Sequence, residues 1–243
     1  MVLEYLLKSW EFYRKNIISF VIAELISLVI TGMIALVGIG IIFSSIGISS
    51  LKDLYDLEFL IRKILSILPL LTELTVALVF LFIAWIVRVF INVGLYGMAA
   101  ESLRGKTGIE TMFQFAKKYG FKGVISSIII AIISLLIIIL AVILNLFFSL
   151  AGGIIGLIIL FLIIITFSFV FPGIILDDLS STNTIKESFN VSKKNYLNML
   201  SLLLIYAVLS LVILIPFLGI VIYCFVISPM MKISLVLFYN RKK

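Results

Sequence analysis

Long apolar runs, each set off by short polar stretches, dominate the chain. They fall at about 17–45, 70–99, 123–150, 154–176, 197–215 and 217–239. A membrane-crossing helix needs about 20 apolar residues at about 1.5 Å each. None of the runs alternates with a period of two, and all are far longer than a barrel strand, so they predict helices. A helix also satisfies its own backbone hydrogen bonds, as hydrocarbon demands. The expected fold is all-α: a polytopic protein with six transmembrane helices in one integral membrane domain, 1–243.

The polar stretches alternate in character. Only "AGG" (151–153) separates the third and fourth runs and "PFLG" (216–219) the fifth and sixth, and neither carries a charge. Every other stretch but one is basic. Lys8, Arg14 and Lys15 precede the first run; Arg104, Lys106, Lys117, Lys118 and Lys122 precede the third; Lys186, Lys193 and Lys194 precede the fifth; Arg241, Lys242 and Lys243 follow the sixth. With six crossings these clusters share one side. The positive-inside rule makes that side cytoplasmic, with both termini inside and the cell membrane as the expected location. Glu4 and Glu11 stand ahead of the first run with no small-residue cleavage site before it, so that run is expected to remain a membrane helix rather than a signal peptide. The exception is the charge-balanced loop after the first run. There Leu51, Leu54, Tyr55, Ile61, Ile64 and Leu68 recur near helical spacing, predicting an outer amphipathic helix stopped by Pro69.

Ahead of each inside-to-outside run the same short pattern returns: "SWEFYRKN" (9–16), "MFQFAKKY" (112–119) and "SFNVSKKN" (188–195). The three align without gaps on an aromatic (Trp10, Phe113, Phe189), an apolar residue (Phe12, Phe115, Val191) and paired cations (Arg14 and Lys15, Lys117 and Lys118, Lys193 and Lys194). The second and third copies extend backwards at a constant offset, pairing Gly97 with Gly173, Glu101 with Asp177, Leu103 with Leu179 and Ile109 with Ile185. Leu3, Leu6, Leu7 and Trp10, like Ile109, Met112, Phe113 and Ala116, form one apolar face at helical spacing. Thr107 with Glu110 and Thr184 with Glu187 have the spacing of capping boxes. The unit implied is a cytoplasmic amphipathic helix followed by a transmembrane hairpin. Three parallel pseudo-repeats of it, about 1–100, 101–176 and 177–243, make the chain, and a threefold ring is their natural closure. The motif reads first as orientation and anchoring, and more sharply as recognition of anionic headgroups by the six cations.

Composition narrows the chemistry. The chain is 63% hydrophobic and 13% charged with mean hydropathy +1.34, against about half and a quarter in soluble domains. The net charge of +7 is concentrated in the basic clusters, so it marks topology rather than a nucleic-acid surface. One cysteine, Cys224, and no histidine leave no internal disulfide, imidazole metal site or Ser–His pair. The P-loop, HExxH, GxSxG and CxxC patterns are absent. No cofactor or enzymatic activity is expected.

Ionisable groups within the runs are costly and therefore informative. Glu24, Arg88 and Lys232 all fall in the expected cytoplasmic half, with Asn92 one turn from Arg88. Glu24 has two candidate partners, Lys232 across a closed ring and Arg88 on the second run. They form either a structural ion pair or a polar site for an ion or amphipathic substrate. Pro172 and Pro229 should kink the fourth and sixth runs. Gly152 and Gly156 have the spacing for close helix approach, and Asp177 with Asp178 mark the inner end of the fourth run.

The layout, with "ESLRGKT" after the second run and "FPGIILDD" and "IKESFNVSKKN" around the fourth, resembles a broad group of prokaryotic six-span membrane proteins of unknown function, many of them archaeal. The group is similar to the membrane domain attached to some glycerophosphodiester phosphodiesterases. The abundance of Ile and Lys without His fits such a source. The resemblance implies the architecture; without a soluble phosphodiesterase domain no catalytic residue carries over. The expected role is non-enzymatic: a scaffold or accessory protein engaging the bilayer, anionic lipids, a membrane-protein partner or a second copy. The alternative is a small transporter or channel using the polar residues of the inner half.

Overall fold

The computed structural model describes residues 2–45, 67–148 and 150–242, and all regular structure among them is helical. In order they are α1 (Val2–Lys15), α2 (Ile17–Ser45), α3 (Ile67–Ser102), α4 (Ile109–Phe148), α5 (Leu150–Phe167), α6 (Val170–Asp177), α7 (Ser181–Lys194) and α8 (Tyr196–Ser210). A 3-10 turn (Leu211–Leu214), α9 (Leu218–Ile222), a π-helical segment (Tyr223–Ile227) and α10 (Ser228–Lys242) complete the chain. Among the described residues five stretches are long and apolar enough to cross a membrane: Ile17–Ser44, Leu71–Ser102, Ile109–Ile143, Tyr196–Leu214 and Leu218–Arg241. The fourth run of the sequence is divided instead into α5 and α6, which part at Ser168 and Phe169.

Contacts divide the chain into two bodies. The smaller is Leu25–Arg88. In it a Cβ added at Gly38 would lie 3.1 Å from the Ala77 carbonyl oxygen and 3.2 Å from the Phe80 Cβ, so the absent side chain is what lets these helices approach. Arg88 donates to the Ser27 hydroxyl in the same body. Pro69, expected to stop the outer amphipathic helix, is the third described residue of α3. The amphipathic helix expected over 51–68 falls almost wholly on 46–66, outside the described residues.

The larger body joins Met1–Glu24 to Val89–Lys243. Its burial is uneven along each helix. Residues 93–100 of α3 and 232–239 of α10 are continuously buried, whereas Leu135, Leu136 and Leu146 of α4 are 57%, 61% and 80% exposed. α4 has 40 residues, about 60 Å, while the hydrocarbon core is about 30 Å thick. The helices therefore have length for both an outward-facing apolar stretch and a tightly packed end. Such a large exposed apolar surface is compatible with lipid and not with water.

The packed end depends on glycine at close approaches. A Cβ at Gly94 would lie 2.4 Å from the Met112 carbonyl oxygen, and one at Gly97 2.2 Å from the Phe115 ring, so α4 rests on the end of α3. Further along, a Cβ at Gly156 would lie 2.7 Å from that of Ala141, which explains how α5 turns back directly on α4. "AGG" is thus the first turn of α5 and not a loop. α5 and α6 together run back the whole way: Lys122 near the start of α4 pairs with Asp178 at 2.6 Å, and Ser181 donates to the Lys122 carbonyl at 3.0 Å.

The three copies of the short motif differ at their ends. In the first and third the helix breaks at an asparagine. Asn16 Nδ2 donates to the Phe12 carbonyl at 3.0 Å and Asn195 Nδ2 to the Val191 carbonyl at 3.1 Å, both four residues back. In the second copy Tyr119 stands at that position, and α4 runs straight through into the apolar run. Neither expected capping box forms. Thr107 has its N–H held by Asn16 Oδ1 at 2.8 Å and its carbonyl by Ser19 at 2.8 Å, and its buried hydroxyl has no partner among the described residues. The cap of α7 is Ser180, whose hydroxyl accepts from the Asn183 N–H at 3.4 Å; Thr184 lies inside the helix and donates to the Val170 carbonyl.

Candidate functional site

The face that α1 turns to the protein is not its most apolar one. Tyr5, Ser9 and Tyr13, four residues apart, are buried, while Leu3, Leu7 and Trp10 are 66%, 62% and 44% exposed. The apolar face read from the sequence points outward, as expected of an interfacial helix beside lipid. α7 repeats this arrangement: Thr184, Ser188, Val191 and Ser192 are buried, and Phe189 is 51% exposed. In α4, Met112 and Ala116 turn inward and Phe113 is 53% exposed.

The inward hydroxyls complete backbone breaks in neighbouring helices. Pro172 has no N–H for the Ser168 carbonyl four residues back, and the run parts between α5 and α6 at Ser168 and Phe169. Ser188 donates to the Thr166 carbonyl at 2.5 Å and accepts the Phe169 N–H at 3.2 Å; Ser192 donates to the Ile165 carbonyl at 3.0 Å. Pro229 likewise leaves the Phe225 carbonyl, inside the π-helical segment, without its usual donor. The Tyr13 hydroxyl supplies one at 2.7 Å. Burial pushes the Tyr13 pKa up, which keeps the hydroxyl a donor. Tyr13 and Ser192 occupy the same place in the aligned motif, and each donates to a backbone carbonyl of the proline-containing run packed beside it.

Beside this break lies an ion pair with both members buried. Lys232 Nζ is 2.7 Å from Glu24 Oε1, with the two side chains 5% and 3% exposed. Ser228, one turn before Lys232, bonds to both: 3.1 Å to Glu24 Oε1 and 2.6 Å to Lys232 Nζ. Burying these charges costs several kcal/mol each, and only their attraction and the added hydrogen bonds offset it. A second buried chain runs from Ser9 to the Tyr206 hydroxyl at 3.4 Å and on to Ser234 at 2.7 Å.

Of the four residues singled out within the runs, Glu24 and Lys232 meet. Arg88 lies in the other body with Ser27, and Asn92 is half-buried on α3. Ser228 and Tyr13 were missed; their signal is spacing, Ser228 four before Lys232 and Tyr13 four after Ser9. The six proposed headgroup cations, Arg14, Lys15, Lys117, Lys118, Lys193 and Lys194, are all exposed. Lys15 is partnered by Glu11 at 2.7 Å, and Lys118 stands over the Tyr119 ring at 4.7 Å. Hydrogen bonds from Arg241 and Lys8 hold the Glu4 carboxyl down at about 2, tying α1 to the end of α10. No family model, curated protein or solved structure matches the chain.

Proposed function

We propose that this protein is a six-span membrane scaffold whose three amphipathic helices engage anionic headgroups of the cytoplasmic leaflet. The observation carrying this reading is the common exposure of Trp10, Phe113 and Phe189, each beside an exposed cation pair and each on a helix whose other face is packed. Aromatics and cations at one level suit a headgroup layer, the ring lying at the interface and the cations meeting phosphate. The sixth span is α5 with α6. Their 18 and 8 residues supply about 39 Å of helix, enough to cross. The three-unit ring is supported by Tyr13 and Ser192, at one position of the motif, each donating to a carbonyl of the proline-containing run beside it. The same resemblance to six-span prokaryotic proteins favours this architecture. Transport through Glu24 has less support, because Glu24 and Lys232 engage each other out of reach of solvent.

The test uses tryptophan fluorescence, since the chain has two tryptophans. In a Trp85→Phe background, brominated phosphatidylglycerol should quench Trp10 more than brominated phosphatidylcholine does. Changing the six cations to Gln should remove the preference. Equal quenching by both lipids in the unmodified cation background would overturn the reading.

A further inference from the structure

A cleft of about 420 Å³ opens between the broken fourth run and α7, lined by Thr166, Phe167, Ile185, Lys186, Phe189 and Asn190. Its walls divide by chemistry. Phe167, Ile185 and Phe189 are apolar, and the surface of α5 leading up to it is too, with Ile158 56% and Ile164 52% exposed. At its polar side stand Lys186 and Asn190, one helical turn apart on α7 and both exposed. Neither side chain has a partner among the described residues. The other polar lining is already satisfied: Thr166 Oγ1 donates to the Leu162 carbonyl at 2.8 Å, and the Thr166 carbonyl accepts from Ser188.

We propose that this cleft is a binding site for a single phospholipid, with the phosphate held by Lys186 and Asn190 and the start of one acyl chain lying along Phe167, Ile185 and Phe189. The proposal rests on the headgroup-engaging reading above and adds to it one defined site. The volume suits a headgroup and the first part of one chain; a whole two-chain lipid does not fit, so the rest lies along the apolar surface of α5. A cation and an amide donor above apolar walls complement a phosphate attached to hydrocarbon, and suit neither a free anion nor an uncharged lipid. On the far side of Lys186 is a second cleft of about 350 Å³, lined also by Asp177, Leu179, Asn183 and Glu187. Its carboxylates compete for the Lys186 ammonium, yet Asp177 is already bonded by the Tyr239 hydroxyl at 2.5 Å, and the aromatic wall belongs to the first cleft alone. The break at Pro172 shapes the site, because Thr166 and Phe167 are the last residues before the chain changes direction.

Native mass spectrometry of the full-length protein in detergent, titrated with dioleoyl phosphatidylglycerol or with dioleoylglycerol, tests this. The expected result is one phospholipid retained under activation that strips the others, and no retained dioleoylglycerol. Lys186→Gln with Asn190→Leu should weaken that adduct roughly tenfold, the size of one lost charge-assisted hydrogen bond, while Lys186→Arg keeps it. The six-cation variant should keep it as well, because the cleft does not use those residues. Absence of a retained phospholipid, equal retention of dioleoylglycerol, or an unchanged adduct in the double variant would each overturn the site. If the site falls while Trp10 quenching still prefers phosphatidylglycerol, the broader reading stands. If quenching shows no preference, that reading falls whatever the adduct does.

Discussion

Replacing Glu24 with Gln would strand a buried ammonium at Lys232. The loss of one partner of such a pair costs about 3–5 kcal/mol, because the remaining charge keeps its desolvation penalty without its attraction. The Glu24→Gln variant should therefore unfold well below the parent chain in a thermal melt followed by circular dichroism in detergent. Glu24→Leu combined with Lys232→Met should recover most of the loss, since apolar residues of similar size often replace a buried pair at little cost. If the double variant is as unstable as the single one, the pair is not what holds these helices together. The rarity of charges in the apolar runs made Glu24 and Lys232 legible in the sequence. Ser228 was not, because a serine is ordinary in a membrane helix and only the fold shows that it bonds to both charges.

At the scale of the element, the two prolines announce where helices break, but not what repairs them. Pro172 and Pro229 could be read directly, and each break falls where the missing N–H requires. The repair comes from the inward faces of α1 and α7, where the sequence pattern singles out neither Tyr13 nor Ser192. Beside lipid the most apolar face turns outward, and small hydroxyls and aromatics remain to pack inside. Tyr13→Phe removes only the hydroxyl that reaches the Phe225 carbonyl, and Ser188→Ala the one that donates to Thr166 and accepts the buried Phe169 N–H. A buried backbone group left without its partner costs about 1–3 kcal/mol. Each variant should lower the unfolding midpoint by a comparable amount, whereas Ser201→Ala, at an exposed hydroxyl bonded within its own helix, should leave it nearly unchanged. Equal effects at all three positions would mean that the breaks are not the weak points.

Across the whole molecule, the decisive question is whether α5 with α6 crosses the membrane, because that single crossing sets the side of everything after it. Along the chain the charge pattern favours a crossing, since without it Lys193, Lys194 and the C-terminal cations would lie opposite Lys117 and Lys118. Geometry adds that the segment returns from the far end of α4 to the level of Lys122, where Asp178 meets it. Lys122 and the tip of α4 at Phe148 are about 39 Å apart along the helix, more than the hydrocarbon thickness. Length and hydropathy alone do not decide the matter, because the break at Ser168 and Phe169 divides the run into helices of 18 and 8 residues. Side-specific thiol labelling does. In a Cys224→Ser background, single cysteines at Arg14, Lys118, Lys193 and Lys242 should all react with a membrane-impermeant maleimide from the same face. A cysteine at Phe217, which is 87% exposed in the turn before α9, should react only from the other. Should Lys193→Cys and Lys242→Cys react from the face opposite Arg14→Cys and Lys118→Cys, α5 and α6 do not cross. The three units would then no longer be parallel, and the aromatics and cations of the first two motifs could not share a leaflet with those of the third.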